Sequence, residues 1–210
     1  MDTLIKPSLL ALTIASALSA NASAEIILSQ YVEGGSYNKA VELANTGDAA
    51  ITLTGYELAK SSNGDGNWGS KIDLSQVTLQ ANQVYVVAHG DSSDAITAIA
   101  NFTDKSVANF NGDDPLALLK DGKVHDILGV MGDVDFGKDT TLVRNSDALT
   151  PSATYQAAQW TTFAKDNIDG LGDLNTVEPP VPFICEVDGQ QPTFTTIQDI
   201  QGEEGSSPLI

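Results

Sequence analysis

Apolar and polar residues alternate along most of the chain in short runs that end on glycine, asparagine or aspartate, the pattern of half-buried β-strands joined by turns. Residues 25–32 (EIILSQYV) open the series. A turn from Glu33 to Asn38 leads to a second strand, Lys39 to Asn45, with Val41 and Leu43 on one face and Glu42 on the other, close to Lys39. After a turn at Thr46 to Asp48, Ile51, Leu53, Tyr56 and Leu58 continue the pattern around a break at Gly55. Ser61 to Ser70 is a polar, glycine-rich loop carrying Trp68. A short strand comes next at Lys71 to Leu74 and a stronger one at Val84 to His89. Ser92-Ser93-Asp94 is a helix start, with Ala95 to Ala100 as a short helix behind it.

At the centre, Phe110-Asn111-Gly112-Asp113-Asp114 precedes the run Leu116 to Lys120. Asn and Gly tolerate the positive φ angles of a two-residue type I′ turn, so 106–110 is expected to pair with 114–120 as a hairpin. Asp113 and Asp114 would accept backbone N–H bonds at its exit. Leu116, Leu118 and Lys120 share one face and Ala117 and Leu119 the other, which predicts a strand covered on both sides. Asp121-Gly122 is a further hairpin turn into Lys123 to Val130. Met131 to Asp139 is a glycine-rich loop, and Thr141 to Arg144 and Trp160 to Phe163 are the last strands. Many short strands with turn signals every ~8–12 residues, and one short helix, predict an all-β, antiparallel sandwich. No internal repeat is visible.

The two ends depart from this pattern. Lys6, the apolar run Leu9 to Ala20 and the small residues Ala22-Ser23-Ala24 make residues 1–24 a secretory signal peptide, cleaved before Glu25. The run is shorter than the ~20 residues of a transmembrane span, and no later segment is long and apolar enough to cross a membrane. The mature protein is therefore expected to be secreted, either periplasmic or extracellular. Glu178-Pro179-Pro180-Val181-Pro182 is a stiff, extended linker. The expected divisions are a signal peptide (1–24), a sandwich domain (25–173), a Pro-rich linker (174–193) and a final segment (194–210). The residues after the linker are too few to bury a core of their own. The single cysteine, Cys185, is either a tolerated free thiol or one half of a pair whose partner lies elsewhere. The chain stops at Pro208-Leu209-Ile210 without completing an element, which favours the second reading.

Charge narrows the choice of partners. Ten Lys and Arg face 28 Asp and Glu, a net charge of −18. Removing residues 1–24 takes away Lys6 and Asp2, leaving 9 against 27, so the mature chain stays at −18. Such a surface repels phosphate backbones, and this segment alone is a poor direct DNA clamp. The carboxylates are compatible with Ca²⁺ or Mg²⁺ binding and equally with simple solubility.

Catalytic signatures are few. His89 and His125 sit at strand ends without ligand spacing, and the sequence holds no zinc-binding His-Glu-x-x-His, no Gly-x-Ser-x-Gly elbow and no P-loop. Asn63-Gly64-Asp65-Gly66-Asn67 alternates oxygen donors, yet Trp68 and Leu74 occupy the positions where an EF-hand needs Gly and a bidentate Glu, so it is a looser Ca²⁺ site or a surface loop. Asp133, Asp135 and Asp139 form a second acidic loop with the same two readings. Trp68 is either a stacking platform or a packing aromatic. Glu42 either orders the neighbouring turns or is a solvated charge. The candidate binding or structural residues are Glu42, Asn45, Asn111, Gly112, Asp113 and Asp114, and the candidate ligands for Ca²⁺ are Asp113, Asp114, Asp133 and Asp135.

Taken in order, these stretches resemble a known family. Ser29-Gln30-Tyr31-Val32-Glu33-Gly34, Asn38 to Asn45, and Leu53-x-Gly55-Tyr56-x-Leu58 are similar to the opening of bacterial lamin-tail domains. Phe110 to Leu118 and Asp126-Ile127-Leu128-Gly129 are similar to the middle. Thr141 to Arg144, Trp160, and Lys165-Asp166-x-x-Asp169-Gly170-Leu171-Gly172 are similar to the end. The resemblance covers about 25–173 and implies an immunoglobulin-like β-sandwich. Ile197 to Gly202 and Ser206 to Leu209 further resemble the start of an OB-fold-like region that comes after this domain in large secreted bacterial endonucleases. That second resemblance implies a parent chain with downstream OB-fold and DNase I-like nuclease domains, hydrolysing extracellular DNA with Mg²⁺ or Ca²⁺. No residue here matches a nuclease catalytic motif. The expected function is a non-catalytic module of a secreted nuclease, serving in positioning, surface attachment or substrate presentation. The alternative is a stand-alone exported module that recruits polymers or surface partners through Ca²⁺.

Overall fold

The computed structural model describes residues 25–174 and, by backbone alone, two short paired strands at Phe183–Ile184 and Thr193–Phe194. The signal-peptide, Cys185, chain-end and OB-fold readings, and nearly all of the linker, lie outside the described residues. The strands in chain order are β1 (Ile26–Glu33), β2 (Lys39–Asn45), β3 (Ile51–Thr52), β4 (Tyr56–Lys60), β5 (Ser70–Asp73), β6 (Thr78–Leu79) and β7 (Val84–Ala88). After helix α1 (Asp94–Thr97) come β8 (Phe102–Thr103), β9 (Leu116–Lys120), β10 (Lys123–Leu128), β11 (Thr140–Arg144) and β12 (Trp160–Ala164). They form a six-stranded sheet, β12-β11-β1-β2-β7-β8, and a four-stranded sheet, β10-β9-β4-β5, with β3 and β6 as a small separate pair. The chain is an immunoglobulin-like β-sandwich. Among the described residues no helix is long and apolar enough to cross a membrane.

The main core lies between the two sheets, where Ile26, Leu28, Tyr31, Val41 and Leu43 meet Leu58, Leu116, Leu118 and Leu128. β1 is the central strand, paired antiparallel with β2 and β11, and every one of its residues is buried. A bulge falls between Leu28 and Gln30. The extra residue sends Ser29 and Gln30 to the outer face together and returns Tyr31 to the core. The outer face of the large sheet is apolar at Val32, Ala40, Val86 and Ala88, and it is covered by Ile96 and Ile99 from α1 and the turn behind it, and by Ile168 and Leu171. Residues 165–174, after β12, therefore run as a strap over the sheet.

The turn Asp121-Gly122 is a hairpin as expected, and its φ values of 50° and 76° are the positive angles that a type I′ turn uses. The expected hairpin at Asn111-Gly112 does not form. Residues 106–114 contain no strand, β9 pairs with β4 and β10, and Asn111 lacks the positive φ of a type I′ turn. Val107, Ala108 and Phe110 are instead turned into the core, where the Tyr31 and Phe110 rings stack at 4.6 Å. α1 spans four residues, shorter than expected, and β8 adds a parallel pairing with β7 to an otherwise antiparallel sandwich.

Candidate functional site

Three loops meet at one corner of the sandwich. Asp114 is buried, its Oδ1 accepting from Asn63 N at 2.8 Å and its Oδ2 from Asn111 N at 3.2 Å. The Asn111 amide, turned with its NH₂ toward the carboxylates, donates to Asp114 Oδ2 at 2.7 Å and to Asp113 Oδ1. Gly132 N donates to Gly64 O and Asp133 N to Asn63 O, at 2.8 and 3.0 Å, while Phe136 N and Gly137 N donate to Gly112 O at 2.9 and 3.2 Å. The 61–67, 110–115 and 131–139 loops are thus zipped together by backbone bonds. Asn111, Gly112, Asp113, Asp114, Asp133 and Asp135 share this corner. Burial raises the Asp113 carboxyl above its ordinary value, and the charges of Asp114, Asp133 and Asp135 add to the rise. Among the described residues no three His, Cys, Asp or Glu side chains converge as a metal site.

Gly112 explains why the corner needs a glycine. Its φ is +102°, and a Cβ there would meet Lys138 N at 2.5 Å. Gly112→Ala is expected to force the two loops apart and lower thermal stability by about 2 kcal/mol, with the largest changes in amide exchange at 110–115 and 136–139. Unchanged melting and exchange would contradict this account of the corner.

The second group of predicted residues lies on β2, with Glu42 on the outer face of the large sheet and Asn45 at the strand's end. Glu42 is 1% exposed, so it is not a solvated charge. It is not beside Lys39 either. Lys39 shares the face of Val41 two residues on and pairs with Glu33, because side chains alternate along a strand. Glu42 Oε1 accepts from Ser29 Oγ and its Oε2 from Gly172 N, both at 2.7 Å. It therefore fastens the strap to the sheet through a partner 130 residues away, and not the neighbouring turns it was expected to order. Burial pushes its carboxyl from 4.5 up to about 7, against the two hydrogen bonds and helped by the charge of Asp173. The strap is also held by Thr141 Oγ1 donating to Asn167 O (2.8 Å) and by Gly35 N donating to Asp166 (3.0 Å). Asn45, fully buried, donates to Ala49 O (2.7 Å) and Gln80 O (3.0 Å), closing the far end of β2.

A third polar group escaped sequence reasoning. Asp126 on β10 and Arg144 on β11 form an ion pair at 3.3 Å, both at most 1% exposed. Asp126 accepts from Leu28 N and Ser152 N, each at 2.8 Å, and Arg144 donates to Ala148 O and Thr150 O at 2.7 and 2.8 Å. The Arg144 guanidinium lies over the Trp160 ring, 5.1 Å from its centroid. Burial raises the Asp126 carboxyl despite its partner, and lowers the Arg144 guanidinium. The available signal was a charged residue just ahead of the apolar pair Ile127-Leu128 in β10 and another closing the apolar pair Leu142-Val143 in β11.

The remaining candidates have structural surroundings. His89 is buried, stacked on Tyr37 at 4.5 Å, and its Nδ1 accepts from Asp91 N at 3.1 Å. Trp68 is half-buried against the cluster of Ala59, Ala117 and Leu119. Asp65 accepts from Ser61 Oγ and Asn67 N, at 3.0 and 2.8 Å, within its own loop.

No curated protein matches the chain. A family model described as the lamin tail domain matches residues 19–132, more than half of the sequence. Its match ends in the loop before β11, yet β11 and β12 complete the sheet that β1 begins. On that match, and on the sandwich just described, the chain belongs to the lamin tail domain family.

Proposed function

We propose that residues 25–173 are a non-catalytic module of a secreted bacterial nuclease, serving in positioning, surface attachment or substrate presentation for catalytic domains further along the parent chain. One observation carries the non-catalytic reading. The buried polar side chains Glu42, Asn45, Asp114, Asp126 and Arg144 are all engaged with backbone groups of the domain itself, as in a scaffold. The nuclease parent draws its support from the likeness of Ile197 to Gly202 and Ser206 to Leu209 to the region that comes after this domain in secreted endonucleases.

The full chain, incubated with double-stranded DNA and both Mg²⁺ and Ca²⁺, is expected to release no cleavage products on a gel. Turnover that copurifies with the chain would overturn the non-catalytic reading. The parent is tested separately by the reading frame beyond Ile210. Continuation into an OB-fold and a metal-dependent nuclease domain supports it, and an immediate stop or an unrelated domain refutes it. Export is read by mass spectrometry of the protein outside the cytoplasm, whose first residue is expected to be Glu25.

A further inference from the structure

A hollow of about 330 Å³ opens where the strap ends. Three separate parts of the chain wall it: Gln83 and Val84 at the entry to β7, Ile99 and Asn101 ahead of β8, and Asp173 and Leu174 on the strap. Its volume lies at the small end of the range for ligand clefts, about 300–1,000 Å³. Two of the polar side chains are fixed by the backbone. Asn101 N donates to Val86 O at 2.9 Å, and its Oδ1 accepts from Val86 N at 2.8 Å, so Asn101 stands in for a neighbouring strand. Gln83 N donates to Gln80 O at 3.1 Å, and its Oε1 accepts from Gln80 N at 2.9 Å.

A backbone N–H only donates, so in both amides the oxygen is committed and the NH₂ is the free end. Among the described residues neither NH₂ has a partner. Asp173 N donates to Gly170 O at 3.1 Å, while its exposed carboxylate accepts no hydrogen bond among the described residues. The strap wall is itself held, since Gly172 beside it donates to Glu42 at 2.7 Å. Val84, Ile99 and Leu174 pack on the apolar clusters below and supply the apolar part of the lining. The hollow thus offers two amide donors, one carboxylate acceptor and an apolar wall. An anion would meet Asp173 in a chain of net charge −18. A metal ion would find one carboxylate and two amide groups presenting hydrogen. A wholly apolar ligand would strip water from three polar groups and leave them unpaired. A sugar ring answers all of them, because each hydroxyl both accepts from an amide and donates to a carboxylate, and the C–H face of the ring covers apolar surface.

We propose that this hollow binds a neutral sugar ring, with Gln83 and Asn101 donating to its hydroxyls and Asp173 accepting from them. The proposal does not depend on a nuclease parent, and its failure would leave that reading untouched.

The test titrates the isotopically labelled full chain separately with glucose, galactose and N-acetylglucosamine and reads amide chemical shifts. At least one sugar is expected to give saturable changes centred on residues 82–86, 99–102 and 171–174. Sorbitol, which carries similar hydroxyls on an open and flexible chain, should bind at least about tenfold more weakly than that sugar. Asp173→Ala removes a side chain that holds nothing else among the described residues, so it should melt as the parent does and weaken the sugar by about tenfold. Gln83→Ala, which removes one donor, should weaken it by about fivefold. Asp147→Ala, at another exposed carboxylate in the segment after β11, should leave binding unchanged. Absence of saturation with all three sugars, equal affinity for sorbitol, unchanged binding in Asp173→Ala or Gln83→Ala, or an equal loss in Asp147→Ala would each overturn the site.

Discussion

Asp126→Ala lowers the unfolding free energy by about 3–5 kcal/mol, the largest effect expected of any single substitution in this domain. Three losses coincide. The Arg144 guanidinium, 1% exposed, is left as an uncompensated charge in the core. Leu28 N and Ser152 N, each bonded to the carboxylate at 2.8 Å, lose their acceptor. The central strand β1 and the segment after β11 are thereby released together. Chemical denaturation at neutral pH measures the loss. A cycle of Asp126→Ala, Arg144→Met and the double variant should show the double variant losing clearly less than the sum, since removing both partners leaves no orphaned charge. Additive losses, or a single-variant loss below about 1 kcal/mol, would mean that the pair contributes little.

The second large effect is a dependence on pH through Glu42. Its folded carboxyl is raised to about 7 from an ordinary 4.5, so the folded state holds its proton more tightly than the unfolded state. Stability from this group is fully present below about pH 4.5, falls as pH rises between those two values, and is gone above about pH 7. A displacement of that size corresponds to about 3 kcal/mol. Glu42→Gln keeps the shape and an acceptor for Gly172 N but cannot ionise. Denaturation curves from pH 4.5 to 8 should therefore diverge, the wild type losing about 3 kcal/mol relative to Glu42→Gln. Taking the difference between the two proteins cancels the other carboxylates, among them Asp166, which its bonds to Asn38 and Gly35 hold below the usual range. Parallel curves would show that Glu42 does not change protonation in this window. Amide exchange should loosen first at 167–174, the segment that Glu42 holds.

The strands were legible because period-2 alternation records burial directly, as in Val41, Glu42 and Leu43, or in Leu116 to Lys120, which is covered on both faces as its sequence implies. The central corner was not. Asn111-Gly112 carries a strong local turn preference, but Phe110 is drawn into the core beside Tyr31, and Asp114 accepts from both Asn111 N and the distant Asn63 N in a loop corner where a hairpin was expected. Tertiary contacts overrode local chemistry there. Glu42 could be placed on the correct face, whereas its ligand is a backbone N–H far along the chain, and nothing local identifies Gly172. Asp126 and Arg144 were opaque for a related reason. Each reads alone as a charge in or at the end of a short strand, and only the sheet order β11-β1 with β10 close by makes them a pair.

The position of β1 also governs when the fold can assemble. The first strand of the domain has two neighbours, one from residues 39–45 and the other from residues 140–144, which in turn pairs with residues 160–164. Almost the whole domain must therefore be synthesised before its middle strand is enclosed. Loop-closure entropy over that separation slows the search, which places folding in the millisecond-to-second regime of sheets built on distant pairings. Until then, a strand of isoleucine, leucine, tyrosine and valine presents one unsatisfied side, the kind of unpaired edge through which an unfinished sheet aggregates.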